Sequence, residues 1–169
     1  MSKTLIIVES PKKAKEIRHV LDSSYIIETS FGHIFDLPKS EMGVNIEKDF
    51  TAKYVVMDEK AESKLKVIKN AATQVDQILL AADKDREGEA IAWHLYNALT
   101  PLKKPMKRVV FEEITKKGIL FGLKNNVRDL DENLFDAQQA RRVLDRFVGY
   151  MVSPFVIKNY GNNLSAGRT

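Results

Sequence analysis

A chain of 169 residues has room for one domain and part of a second. An apolar share of 44% supports a buried core, and the absence of cysteine excludes a disulfide framework and thiolate metal sites. The net charge of +4 is lopsided: Gln139 to Thr169 contain five basic residues and one acid, which accounts for all of it, and such a segment suits either a polyanion or a solvated helix face.

In chain order, Leu5-Ile6-Ile7-Val8 reads as a short buried strand ending at Glu9. Ser10-Pro11 supplies an N-cap and a first-turn proline for a helix through Ala14, Ile17, Val20 and Leu21. Tyr25 to Thr29 reads as a second strand, Phe31 to Ile34 as a turn with His33 at its tip, and Pro38 to Phe50 as irregular. Tyr54 to Met57 reads as a third strand, and Glu59 to Ala72 as a helix with Ala61, Leu65, Ile68 and Ala72 on one face. Ile78 to Ala82 is a strand, Glu87 to Leu99 a helix with Trp93 and Leu95 in the core, Arg108 to Phe111 a strand, and Thr115 the cap of a further helix. From Leu134 onward Leu134, Ala137, Ala140, Val143, Leu144, Phe147 and Val148 make a helical stripe that Pro154 should break, with Ser153 capping a new helix.

Strands alternating with helices predict an α/β fold, a mostly parallel sheet flanked by helices, followed by a short all-helical segment. The division is expected within residues 126–134, giving units 1–130 and 131–169. No stretch is long and apolar enough to span a membrane. The strand-like start lacks the charged-then-apolar pattern of a secretory leader.

The densest chemistry lies in Asp83-Lys84-Asp85-Arg86-Glu87-Gly88-Glu89, where a strand hands over to a helix. Asp83 and Asp85 share a side in the extended part, and Glu87 falls in the first helical turn, where backbone N–H groups favour negative charge. Oxygen-only donors so close together suit a hard divalent ion such as Mg²⁺ and metal-assisted phosphate chemistry. The alternative is a solvated helix start neutralised by Lys84 and Arg86, and Arg86 is expected to reach a neighbouring carboxylate. In a parallel sheet, ligands bind beyond the carboxyl ends of the strands. Glu9 and Asp83 both follow apolar runs directly, so both should project from that edge.

Val8 to Lys15 together with Asp83 to Glu89 resembles the type IA DNA topoisomerases, bacterial topoisomerase I in particular, with the second block similar to the D-x-D-x-E-G-E motif of their Toprim domain. Gly32-His33-Ile34, Asp36-Leu37-Pro38, Glu113-Ile114-Thr115, Gln138 to Asp145, Val148 to Pro154 and Leu164 to Arg168 extend the likeness over essentially the whole chain. The resemblance implies a Toprim domain over 1–130, Rossmann-like with a mostly parallel four-stranded sheet, and the truncated start of a helical DNA-binding domain over 131–169. It implies Mg²⁺ held by Asp83, Asp85 and Glu87 with Glu9, Glu9 as a general acid, and Lys13 facing the scissile phosphate. It further implies DNA contacts from His33, Arg141, Arg142, Asp145, Tyr150 and Ile157, and from Ser165, Ala166, Gly167, Arg168 and Thr169.

The partners so implied are single-stranded and negatively supercoiled DNA and the downstream domains of the same polypeptide, in a monomeric, cytoplasmic, nucleoid-associated bacterial enzyme. Tyr25, Tyr54, Tyr96, Tyr150 and Tyr160 all lie outside anything like the family's nucleophile motif, so the piece alone should neither cleave DNA nor relax supercoils. A primase-type or nuclease-type Toprim enzyme, the topoisomerase III branch, and a non-catalytic DNA-binding module remain alternatives.

Overall fold

The computed structural model describes residues 2–161 and 166. Its central sheet is ordered β2-β1-β7-β8-β9. The strands are β1 (Thr4–Val8), β2 (Tyr25–Thr29), β7 (Gln77–Ala81), β8 (Met106–Val109) and β9 (Val127–Arg128), with β3 (Phe35–Asp36), β4 (Val44–Asn45), β5 (Thr51–Ala52) and β6 (Val55–Val56) lying between β2 and β7 in sequence. The first four strands of the order run parallel, as expected, and β9 adds a short antiparallel edge. The helices are α1 (Pro11–Val20), α2 (Glu59–Thr73), α3 (Arg86–Leu99), α4 (Lys116–Asn125), α5 (Glu132–Phe147) and α6 (Ser153–Tyr160).

Every residue of β1 is buried, which is why it reads as an unbroken apolar run and not as an alternation. Its side chains still divide by the two-residue period of a strand. Leu5 and Ile7 join Ile78 and Leu80 in a core closed by Ile68 and Ala72 of α2 and by Ala92, Leu95 and Leu99 of α3. Ile6 and Val8 join Leu79 and Ala81 on the other face, closed by Ala14 and Ile17 of α1 and Ile119 of α4. Each fully buried Ile or Leu contributes about 1.5–3 kcal/mol, so two covered faces hold β1 and β7 firmly side by side. Their register pairs Val8 with Ala81. The residues that follow, Glu9 and Ala82 to Asp85, therefore emerge together at the carboxyl edge.

Four sequence expectations change. Tyr54 to Met57 does not enter the central sheet, because Val55–Val56 pairs antiparallel with Phe35–Asp36 in a separate ribbon, and β4 and β5 form another ribbon inside the supposedly irregular stretch. Ser153 does not restart a helix: α5 runs into a π-helical stretch, Val148–Val152, and on into α6, with Pro154 tolerated in the first turn and no capping bond at that junction. The helical stripe is also displaced. Phe135 is the buried residue of α5, stacked on Trp93 at 4.8 Å, whereas Ala140 and Leu144 are exposed. Among the described residues no helix is long and apolar enough to cross a membrane.

Candidate functional site

Ser10 caps α1 by accepting the Lys13 N–H, and Pro11 stands in the first turn. That start directs the Lys13 side chain back over the end of β1. Its ammonium bridges the Glu9 and Asp83 carboxylates, and the Asp83 N–H donates to Glu9 Oε2 at 3.0 Å. The structure thus brings together residues more than seventy positions apart.

Burial, and then a hydrogen bond shared with Asp83, lift the Glu9 pKa above the ordinary carboxylate value against the pull of Lys13. The same hydrogen bond, with Lys13 and the Arg108 charge behind it, holds Asp83 low despite some burial, so of the two Glu9 takes up a proton first. Burial opposes the Lys13 charge, but Asp83 and Glu9 outweigh it and raise the Lys13 pKa.

The other two acids turn elsewhere. Asp85 caps α3, accepting the Gly88 N–H at 2.7 Å, and Glu87 meets His33 Nε2 at 3.0 Å. All four donors are carboxylate oxygens, the chemistry a hard divalent ion prefers. In the present arrangement, however, Lys13 takes the place of a cation between Glu9 and Asp83, and no group of three or more acids or histidines among the described residues converges as a metal site. Lys84 pairs with Glu112 at 2.7 Å. Arg86 makes no ion pair among the described residues and lines a cavity instead, contrary to expectation.

That cavity holds about 460 Å³ and lies between the acidic turn, the first ribbon and α5. Its walls include His33, Asp85, Glu87, Arg141, Arg142 and Asp145. Arg141 is exposed to it. Arg142 instead forms a two-pronged pair with Asp36, its Nε donating at 2.9 Å. Burial would raise the Asp36 pKa, but the Arg142 hydrogen bond, the Leu37 N–H and the Arg146 charge bring it below the ordinary value. The floor is aromatic: Tyr54 lies 4.2 Å from His94, with Phe35 and Phe135 beside the imidazole. Burial, then the neighbouring His33, push His94 down to about 4, and burial with Asp36 pushes Tyr54 up to about 12.

Further along α5, Arg146 donates to the Pro38 carbonyl at 2.7 Å and to that of Leu37 at 3.2 Å, and its guanidinium stacks over Tyr150, whose hydroxyl donates to the Lys39 carbonyl. Arg142, Arg146 and Tyr150 therefore clasp the loop after β3, where sequence reading assigns Arg142 and Tyr150 to DNA. Ile157 lies on α6, 36% exposed and apart from the cavity wall. Ala166 bonds through its N–H and its carbonyl to the Ser153 hydroxyl. Ser165, Gly167, Arg168 and Thr169 lie outside the described residues. Sequence reading misses Asp36, His94 and Arg146. An Arg one helical turn beyond Arg142 is a legible signal for the last, whereas the partnership of Asp36 with Arg142 spans 106 positions and leaves none.

The family model of the Toprim domain matches residues 4–114. The chain is 47% identical to DNA topoisomerase 1 of Synechocystis sp. over 99% of its length and 44% identical to that of Synechococcus elongatus over 97%. It spans about a fifth of the length of those curated relatives. Full-length topoisomerase I from Thermotoga maritima has the same fold over 96% of this chain and 27% of that one, with a TM-score of 0.85 and 45% identity. The parallel sheet, the acidic turn at its carboxyl edge and the matched span agree, and the chain belongs to the Toprim domain family.

Proposed function

We propose that this chain is the N-terminal part of a type IA DNA topoisomerase, which relaxes negatively supercoiled DNA by transient cleavage of one strand through a 5′-phosphotyrosine, strand passage and religation. The observation that carries this reading is the meeting of Glu9, Lys13 and Asp83 beside a cavity faced by Arg141, in a chain about 45% identical end to end to proteins named topoisomerase.

In this reading Glu9, its pKa raised by burial and by Asp83, is the carboxyl that gives a proton to the leaving 3′ oxygen. Lys13 stays protonated and faces the scissile phosphate, and His33 and Arg141 hold neighbouring phosphates of a single strand. Asp83, Asp85 and Glu87, with Glu9 alongside, would hold Mg²⁺, which when bound offsets charge on a phosphate oxygen. Residues 1–130 make the Toprim unit and 131–169 begin a helical DNA-binding unit. The nucleophilic tyrosine belongs to the downstream part of a monomeric enzyme of the bacterial cytoplasm and nucleoid.

Fluorescence anisotropy with a labelled single-stranded oligonucleotide is the direct test. Arg141→Ala is expected to weaken binding and to lower the slope of log K against log salt by about 0.7, one phosphate contact on a single strand. An unchanged slope removes Arg141 from the interface. Calorimetric titration with Mg²⁺ should show binding that Asp83→Ala/Asp85→Ala abolishes, and equal isotherms would leave the acids a structural role. The chain alone should leave negatively supercoiled plasmid unchanged with Mg²⁺ present, and relaxation by it would overturn the assignment of the nucleophile.

A further inference from the structure

Glu89, the last acid of the run, is buried to 1% exposure and does not face the site. Its carboxylate accepts from Arg108 Nε at 3.1 Å, from Arg128 Nη2 at 2.8 Å and from the Asp131 N–H at 2.7 Å. Arg108 is fully buried within β8, and the rest of its guanidinium is spent on backbone: Nη1 donates to the Leu80 and Val109 carbonyls, and Nη2 to the Asp83 carbonyl at 2.6 Å. Asp131 is the N-cap of α5, and Arg128 is the last residue of the edge strand leading to it. A continuous set of hydrogen bonds thus runs from the backbone of the acidic turn, through Arg108 and Glu89, to the N-cap of the helix that carries Arg141 and Arg142.

Burying a guanidinium and a carboxylate, with a second, half-exposed guanidinium against them, is a poor way to gain stability, because apolar side chains of similar volume often stabilise more. What an apolar trio lacks is the ability to hold defined backbone atoms at fixed points, and here those atoms belong to the two elements that meet at the cavity. We propose that Glu89, Arg108 and Arg128 form a positioning joint that fixes the N-terminus of α5 against the Asp83 turn, so that the acids and the arginines face one cavity in register. Glu89 and Arg108 act through backbone and touch no substrate. The link to nucleic acid rests on the functional reading above, and the joint itself does not.

The test uses Glu89→Gln, Arg108→Lys and Arg128→Ala in the whole chain, each read by ¹H–¹⁵N amide spectra and by anisotropy with a single-stranded oligonucleotide at a temperature well below unfolding. Glu89→Gln is expected to move the amide resonances of Asp83 to Asp85 and of Asp131 to Leu134 together, to leave those of Leu5 to Val8 in place, and to weaken oligonucleotide binding by about tenfold, the lower end of what loss of a group supporting a metal ligand costs a metal site. Arg108→Lys keeps the charge and loses the planar fork, so the joint predicts no rescue. Arg128→Ala, at an edge where the side chain is 38% exposed, should move chiefly the Asp131 to Leu134 amides. If Glu89→Gln does not fold, Arg108→Lys and Arg128→Ala carry the test by themselves. Amide changes confined to one of the two segments in both Glu89→Gln and Arg108→Lys, or wild-type spectra with Arg108→Lys, would overturn the joint. Coupled amide shifts in a chain that never binds the oligonucleotide would uphold the joint and defeat the nucleic-acid reading instead.

Discussion

Replacing Gly88 with alanine is expected to destabilise the chain by about 3 kcal/mol, the upper range for forced overpacking, even though alanine is the better helix former by about 1 kcal/mol. Gly88 lies in the first turn of α3, and a Cβ there would stand 2.2 Å from the Asp83 carbonyl oxygen and 2.8 Å from the Asp83 nitrogen. Both are backbone atoms, so no rotamer change relieves the contact. The turn cannot simply back away either. Its carbonyl is held by Arg108 Nη2, its N–H is held by Glu9, and Asp85 caps the Gly88 N–H. The alanine must therefore break part of this set, and the acids move with it. Gly149 is the control: it lies in the helical stretch after α5, and a Cβ there would have nothing within 4 Å, so Gly149→Ala should be neutral or stabilising by up to about 1 kcal/mol. Urea denaturation of the two variants checks both signs. A Gly88→Ala chain as stable as wild type would mean that the acidic turn is free to shift and is not clamped.

The difference between what the sequence shows and what it hides follows from the range over which each signal acts. β1, β7 and the helices after them are written locally, in apolar runs bounded by Ser10-Pro11 and by the acid run, and their parallel pairing follows from the alternation of strand and helix. The placing of Glu9 beside Asp83 then needs only the rule that such strands end at one edge. The two-residue strands are different: Phe35–Asp36 and Val127–Arg128 carry too few residues for periodicity and exist because a distant partner supplies their hydrogen bonds, and Val55–Val56 reads as a strand but carries no sign of which strand it pairs with. The burial of Arg108 leaves no local sign, since arginine is almost never fully buried unless paired, and its partner Glu89 lies 19 positions away. The face of α5 is hidden for the same reason. Arg142 and Arg146 turn inward because Asp36 and the carbonyls of Leu37 and Pro38 receive them, and that loop's position cannot be read from α5 alone.

Acidification from pH 7 to 4.5 is expected to remove about 2.4 kcal/mol of stability through His94, and the sign follows from proton counting. Burial, then His33, hold the folded-state pKa at about 4, against an ordinary 6.5. As pH falls below 6.5 the unfolded chain takes up a proton that the folded chain refuses, so the contribution is complete above that value and drains away toward pH 4. Each tenfold difference in proton affinity between the two states corresponds to about 1.4 kcal/mol. Asp36 has the same sign lower down: its folded pKa lies below 3.8, so its pairing with Arg142 is lost only as pH falls through and beyond that value. Glu9 has the opposite sign, because its raised pKa means the folded chain gains a proton first on acidification. His94→Phe isolates the imidazole from both. Phenylalanine keeps an aromatic ring against Tyr54, Phe35 and Phe135 and removes the group that must charge. Urea denaturation at about pH 7, 6, 5 and 4.5 should give a steep decline for wild type and a much flatter one for His94→Phe, with the curves diverging below roughly pH 6.5. Parallel curves would mean that His94 accepts its proton inside the folded cavity, and that the aromatic floor under Arg141 and Arg142 is wetter than its packing implies.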